Sequence, residues 1–227
     1  MIPRDQLEIV LDKLMEEEGA KFLRSVPGAA HLTDESQPLD ENYYFRHRIE
    51  TVKRIRLTAR TDALALERMI DEDYEAAREW AVYTAQEMNH DRLYLADLHK
   101  HGYDDKQVTA MAPFEATVAM LDYLKDNIQR QGGITAVAYS LFVEWNSARY
   151  SGKAVAKAAA HFSSEFVRGS NAHVGIDDEL DHYSMMVTIA HRLLGYRDET
   201  VLFTLIRGIA EHFRNYFTEL YYATSHP

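Results

Sequence analysis

Apolar positions recur every three or four residues over most of the chain, and the elements they predict are helices. Leu7, Val10, Leu11 and Leu14, continued by Phe22 and Leu23, mark a first amphipathic helix that ends near Val26-Pro27-Gly28. The segment GAAHLTDESQPLDEN reads as the longest loop, because Pro38 cannot sit inside a continuous helix. A second, arginine-rich helix is predicted from Tyr43 to Met69. A third runs from Asp73 to His101 and stops at Gly102, where glycine is a common helix end. Asp104 or Asp105 can cap a fourth, through Phe114, Met120 and Leu124 to Gln131. Gly132-Gly133 separates it from a fifth, which starts near Ile134. VLFTLIRGIAEHFRNYFTELYYAT closes the chain as a strongly amphipathic helix. Nothing alternates like a β-hairpin or is spaced like a βαβ unit, and no repeat, low-complexity tract or interdomain linker is visible. The expected fold is all-α, a bundle of about seven helices forming one domain over residues 1–227.

Composition narrows the function classes. With 227 residues, 46% of them hydrophobic, the chain can bury one sizeable core. A formal charge of -11 opposes the phosphate-neutralising surface of a nucleic-acid binder, so no nucleic acid is expected as a partner. No apolar run reaches the roughly 18 residues of a membrane span, and MIPRDQLEIVLDKLMEEEG is amphipathic and acidic, unlike a signal peptide. A cytoplasmic protein without a membrane partner is expected. The absence of cysteine removes disulfides, thiolate metal sites and a cysteine nucleophile. Any metal must then be held by oxygen and nitrogen, which suits iron, manganese, zinc or nickel, with several carboxylates and imidazoles leaning towards iron or manganese.

The chemistry lies in polar residues set into apolar helices. Glu87 and His90 stand three apart on one helix face, among Trp80, Tyr83, Leu93, Leu95 and Leu98. A lone Glu-x-x-His is most often an exposed pairing, but this one lies in a helix apolar on more than one side. Glu144 has Leu141, Phe142, Val143 and Trp145 as neighbours, and a carboxylate placed there must be paired, protonated or metal-bound. His173, Asp177, Asp178, Glu179, Asp181 and His182 form a third cluster. In an unbroken helix His173 and His182 would point about 180° apart, so both can serve one centre only if the helix is interrupted. Gly175 could mark the irregularity, or a helix could begin near Asp177 with an aspartate as its cap. The remaining histidines, His31, His47, His99, His101, His161, His191 and His212, read as surface or ordinary core residues. Tyr43, Tyr44, Tyr221 and Tyr222 read as core or rim.

QEMNHDRLYLADLHKHGY, FVEWNSARY and AHVGIDDELDHYSMM, in that order, resemble the haem-oxygenase-like di-iron oxidases and oxygenases, whose fold is that of the thiamin-salvage and pyrroloquinoline-quinone-synthase proteins. The resemblance covers roughly residues 40 to 220 and rests on spacing more than on a long motif. It implies a seven-helix haem-oxygenase-like bundle holding two ferrous ions, with molecular oxygen as co-substrate. Glu87 and His90 match the third-helix ligands and would hold one iron, Glu144 matches the bridging glutamate, and His173, Asp177 and His182 would hold the other. One departure stands out: the family expects a histidine seven residues after His173, where Leu180 stands, and His182 comes two residues late. The resemblance implies oxidation of a small organic molecule, an amino acid or amine first and a fatty acid second, by N-oxygenation, desaturation or oxidative carbon–carbon cleavage. A homodimer is an allowed assembly. Three alternatives stay open: a ferritin-like di-iron bundle using Glu50, Glu87 with His90, Glu144, and Glu179 with His182; a cofactorless oxidase of the quinone-synthase kind; and a non-enzymatic helical binding protein. The thiamin-degrading branch is disfavoured, because its cysteine nucleophile is missing.

Overall fold

The computed structural model describes residues 2–195 and 197–225, without the side chains of 176–180. The ordered elements among the described residues are all helices, with no strand among them. Eleven α-helices follow one another: α1 Arg4–Ser25, α2 Glu41–Glu72, α3 Tyr74–Glu87, α4 His90–Lys100, α5 Asp105–Ala110, α6 Glu115–Gln131, α7 Ile134–Asn146, α8 Gly152–Phe162, α9 Arg168–Leu180, α10 His182–Leu194 and α11 Thr200–Thr224. Several are pieces of longer rods. α3 and α4 are separated only by Met88-Asn89, α7 and α8 by a π-helical turn at Ser147–Ser151, and α9 and α10 by Asp181. Counted as rods, and setting aside short α5, the bundle has the expected seven members.

Local chemistry fixes the ends of these pieces. Asp40 caps α2 by accepting from the Tyr43 amide (3.0 Å), which closes the long loop after α1. Asp73 does the same for α3 through the Ala76 amide (2.9 Å). Gly102 ends the third rod with φ +88°, a conformation that glycine adopts without a Cβ penalty. The expected fourth helix is a correction: Asp104 caps only short α5, and the chain leaves helical conformation at Met111 to Phe114, around Pro113, before α6 begins.

α7 is the apolar centre of the bundle, with ten of its thirteen residues buried, and it packs against α6, α10 and α11. A main hydrophobic cluster includes Trp80, Met120, Trp145, Ile206 and Tyr216. A second joins Tyr44, Ile49 and Val52 of α2 to Tyr94 and Leu98 of α4. α2 contributes to both, so the residues of its inner face stand between α4 on one side and α11 on the other.

Candidate metal centre

Three interruptions of helix bring the predicted ligands together. The first is Met88-Asn89. The amide of Asn89 bonds back three residues to Gln86 O, and its side-chain Nδ2 donates to Ala85 O (2.9 Å), so the turn is tightened but its carbonyls stay satisfied. Glu87 thereby ends α3, His90 begins α4, and Glu87 Oε2 lies 3.0 Å from His90 Nδ1. The expectation of one unbroken helix through both residues is corrected by this turn. The second is Asp181, in the left-handed region with φ +45° and ψ +53°, whose side chain caps α10 by accepting from the Ser184 amide (3.1 Å). α9 runs unbroken through Gly175, so the irregularity falls six residues later, on an aspartate cap. His182, the first residue of α10, turns inward and is only 1% exposed. The third is the π turn, whose Ser147, Tyr150 and Ser151 line the adjoining cavity.

The N-terminus of α9 is tied directly to α4. Both oxygens of Asp97 accept from it: Oδ1 from the Gly169 amide (2.8 Å), Oδ2 from the Ser170 amide (2.7 Å) and from Ser170 Oγ (2.8 Å). A Cβ on Gly169 would stand 2.0 Å from Leu93 O, so only glycine allows this approach. The result sets His173 of α9 against His90 of α4, with ring centroids 4.2 Å apart.

Five of the six expected ligands converge. Glu87, His90 and His173 offer ligand atoms all within 4.8 Å of one another, and so do Glu87, Glu144 and His182. Glu87 belongs to both sets. Among the described residues Glu87 is thus the side chain common to both sets, where the resemblance gives the shared position to Glu144. The partners change as well, because His90 is grouped with His173, and Glu144 with His182. Asp177, the sixth residue, lies outside the described side chains, as does Glu179. Glu50 does not join the cluster. Its carboxylate is fully buried, pairs with Arg46 (2.7 Å) and accepts from the Phe114 amide and Thr117 Oγ1 at the start of α6, so it cannot serve as the first ligand of a ferritin-like set.

The surroundings orient the ligands. His182 Nε2 stands 3.1 Å from Gln86 Oε1, an acceptor, so Nε2 carries the proton and the Nδ1 lone pair faces Glu87 Oε1 (3.4 Å) and Glu144 Oε2 (3.9 Å). The Tyr83 hydroxyl donates to Glu144 Oε1 (2.6 Å), and burial followed by the Glu144 charge pushes its pKa well above the ordinary value. Glu87 Oε1 is buried and accepts no hydrogen bond from any described residue. A buried carboxylate oxygen without a donor is costly. Facing imidazole nitrogen and a second carboxylate, it fits a divalent cation better than a proton.

A cavity of about 300 Å³ opens from the cluster. Phe22, Phe142, Val143, Phe213 and Phe217 make it apolar, and α2 lines it with the polar series His47, Thr51, Arg54, Thr58 and Asp62. Burial, and then the Glu87 charge, push the Asp62 carboxyl up to about 8. Sequence reasoning missed this series, together with Tyr83 and Gln86. Its signal was present: polar side chains at intervals of four, three, four and four occupy one helix face.

A crystal structure of a domain of unknown function with a haem-oxygenase-like fold, from Shewanella denitrificans OS217, matches the chain with a TM-score of 0.80. The match covers 99% of this chain and 94% of that one at 16% identity. The chain therefore has a haem-oxygenase-like fold. No protein-family model matches the sequence, and no curated protein matches it.

Proposed function

We propose that this protein is an oxygen-dependent non-haem di-iron oxidase or oxygenase acting on a small organic substrate, with amino acids and amines as the expected class. The observation that carries the reading is the position of Glu87, common to two nitrogen and oxygen ligand sets at the wall of an apolar cavity. Bound there, two ferrous ions would supply electrons to oxygen and open coordination positions for oxygen and substrate. The chain's own residues do the rest. Gln86 holds the His182 tautomer, Tyr83 fixes one oxygen of Glu144, and the phenylalanine-rich cavity excludes water from the reacting groups.

Anaerobic loading with ferrous iron followed by elemental analysis is the test. About two irons per chain are expected, with oxygen uptake that depends on added substrate. A chain that takes up no iron, or an oxidase that keeps full activity after chelation, would overturn the reading. The latter result would transfer the chemistry to acid–base catalysis by the histidines.

A further inference from the structure

α2 carries two cations into the cavity wall, neither with an ion pair among the described residues. Arg48 is 9% exposed, and both Arg48 and Arg54 line the cavity. Arg46, Arg56 and Arg68 of the same helix pair with Glu50, Asp91 and Glu72, whereas Arg48 and Arg54 have no ion pair among the described residues. Each keeps a buried nitrogen without an acceptor, Nε in Arg48 and Nη1 in Arg54. Their near neighbours are aromatic: the Tyr44 and Tyr94 rings stand 5.2 and 5.1 Å from the Arg48 guanidinium, which also donates to the Tyr44 hydroxyl, and Phe213 and Tyr216 stand 5.2 and 5.3 Å from that of Arg54, which also donates to the Tyr139 and Tyr216 hydroxyls.

The carboxylates closest in effect are engaged elsewhere. Asp97 holds the start of α9, and Glu50 holds the start of α6 beside Arg46. A buried guanidinium N–H without an acceptor is costly to keep. It persists where a ligand completes it.

We propose that Arg48 and Arg54, which both line the cavity, form a carboxylate subsite, and that the substrate is an organic carboxylic acid with an apolar body, not a simple amine. This rests on the cavity being the substrate chamber of the oxidase reading. Three of the described acids along the cavity are already committed and do not invite an ammonium head. Glu18 is tied to Lys21 (2.6 Å) and Arg214 (2.8 Å), and Glu87 and Glu144 belong to the ligand cluster. Guanidinium matches carboxylate geometrically with two parallel N–H donors, and Phe142, Phe213 and Phe217 line the space for an apolar remainder.

The test uses metal-free protein, so that it stands apart from iron chemistry. Octanoate, octylamine and octyl phosphate are titrated calorimetrically into the wild type and into Arg48→Gln, Arg54→Gln and the charge-keeping Arg54→Lys. Octanoate should bind and octylamine should not. Each Gln variant should lose about 10- to 100-fold in octanoate affinity, with Arg54→Lys between it and the wild type. Octylamine binding as well as octanoate, no octanoate binding by the wild type, or unchanged affinity in both Gln variants would overturn the proposal. Binding of octyl phosphate alone would overturn it in favour of a phosphoryl head. Should a Gln variant fail to fold, the head-group comparison in the wild type decides. Iron stoichiometry of the same variants separates the two readings: octanoate bound without iron leaves the subsite and removes the oxidase, and iron bound without octanoate does the reverse.

Discussion

Glu87 is the side chain on which both ligand sets depend, so variants of the centre should sort by set. Glu87→Ala should lose most of both irons. His90→Ala and His173→Ala should lose one, and Glu144→Ala and His182→Ala the other, all read as iron per chain after anaerobic loading. Loss of both irons in Glu144→Ala with one retained in Glu87→Ala would return the shared position to Glu144. A second residue with a measurable signature is His47, half-buried in the α2 wall with Nδ1 2.7 Å from the Tyr216 hydroxyl. Burial, and then the charges of Arg48 and Arg54, hold its pKa well below the ordinary value. The unfolded imidazole takes up a proton near pH about 6.5, while the folded one stays neutral. Its contribution to stability is therefore present above that pH and lost below it. In His47→Gln, stability measured by urea unfolding between pH 7 and 5 should fall less steeply, by up to about 1.4 kcal/mol per pH unit. An unchanged slope would show that His47 titrates alike in both states. The clustered carboxylates and imidazoles were legible in the sequence because such a side chain amid leucine and tryptophan is conspicuous. His47, Arg48 and Arg54 were not, because an arginine-rich helix reads equally well as a solvated one until its neighbours are known.

At the level of elements, two junctions hold the centre in shape. Gly169→Ala should force α9 away from α4, since its Cβ meets the Leu93 carbonyl, which is backbone and cannot swing aside. The expected cost is about 3 kcal/mol, at the upper end for overpacking. The iron held by His90 and His173 should be lost before the one held by Glu144 and His182. Equal loss of both would mean that the junction supports the whole bundle and not the first set. Asp181→Ala removes a cap, at about 1 kcal/mol, and puts a residue without a compensating side chain in the left-handed region, at about 1 kcal/mol more. Asp181→Asn should cost little, and thermal unfolding of the pair checks both. The helices were readable from their period, and their outer ends from Asp40, Asp73 and Gly102. The interruptions at Met88-Asn89 and Ser147–Ser151 were not, because each alters one turn of hydrogen bonding while the chain stays near helical conformation, and Gly152 after the second is compatible with an unbroken helix as well. The break between His173 and His182 was required by geometry alone, and an aspartate cap was among its expected forms, but its position at Asp181 was not specified.

For the whole molecule, the candidate centre adds a link among rods that meet through apolar contacts and a few polar ties such as Asp97 to α9 and Glu50 to α6. Three of those rods carry its five described ligands: the third, ending and restarting at Glu87 and His90, the fifth with Glu144, and the sixth with His173 and His182. Iron binding should therefore raise global stability, by about 2.7 kcal/mol at a hundredfold excess over the dissociation constant. Anaerobic thermal unfolding with and without ferrous iron should show the shift, and Glu87→Ala should abolish it; the same shift in that variant would place the stabilising ion elsewhere. The left-handed residue at Asp181 has a wider consequence. Two extra residues turn a straight helix by about 200°, which would carry a ligand to the far side of its rod. A single reversal of backbone handedness resets that phase, and His182 still reaches Glu87 and Glu144. The interval between two ligands is thus free to drift so long as one hinge residue tolerates the turn, and proteins sharing such a centre need not share a ruler by which it can be found.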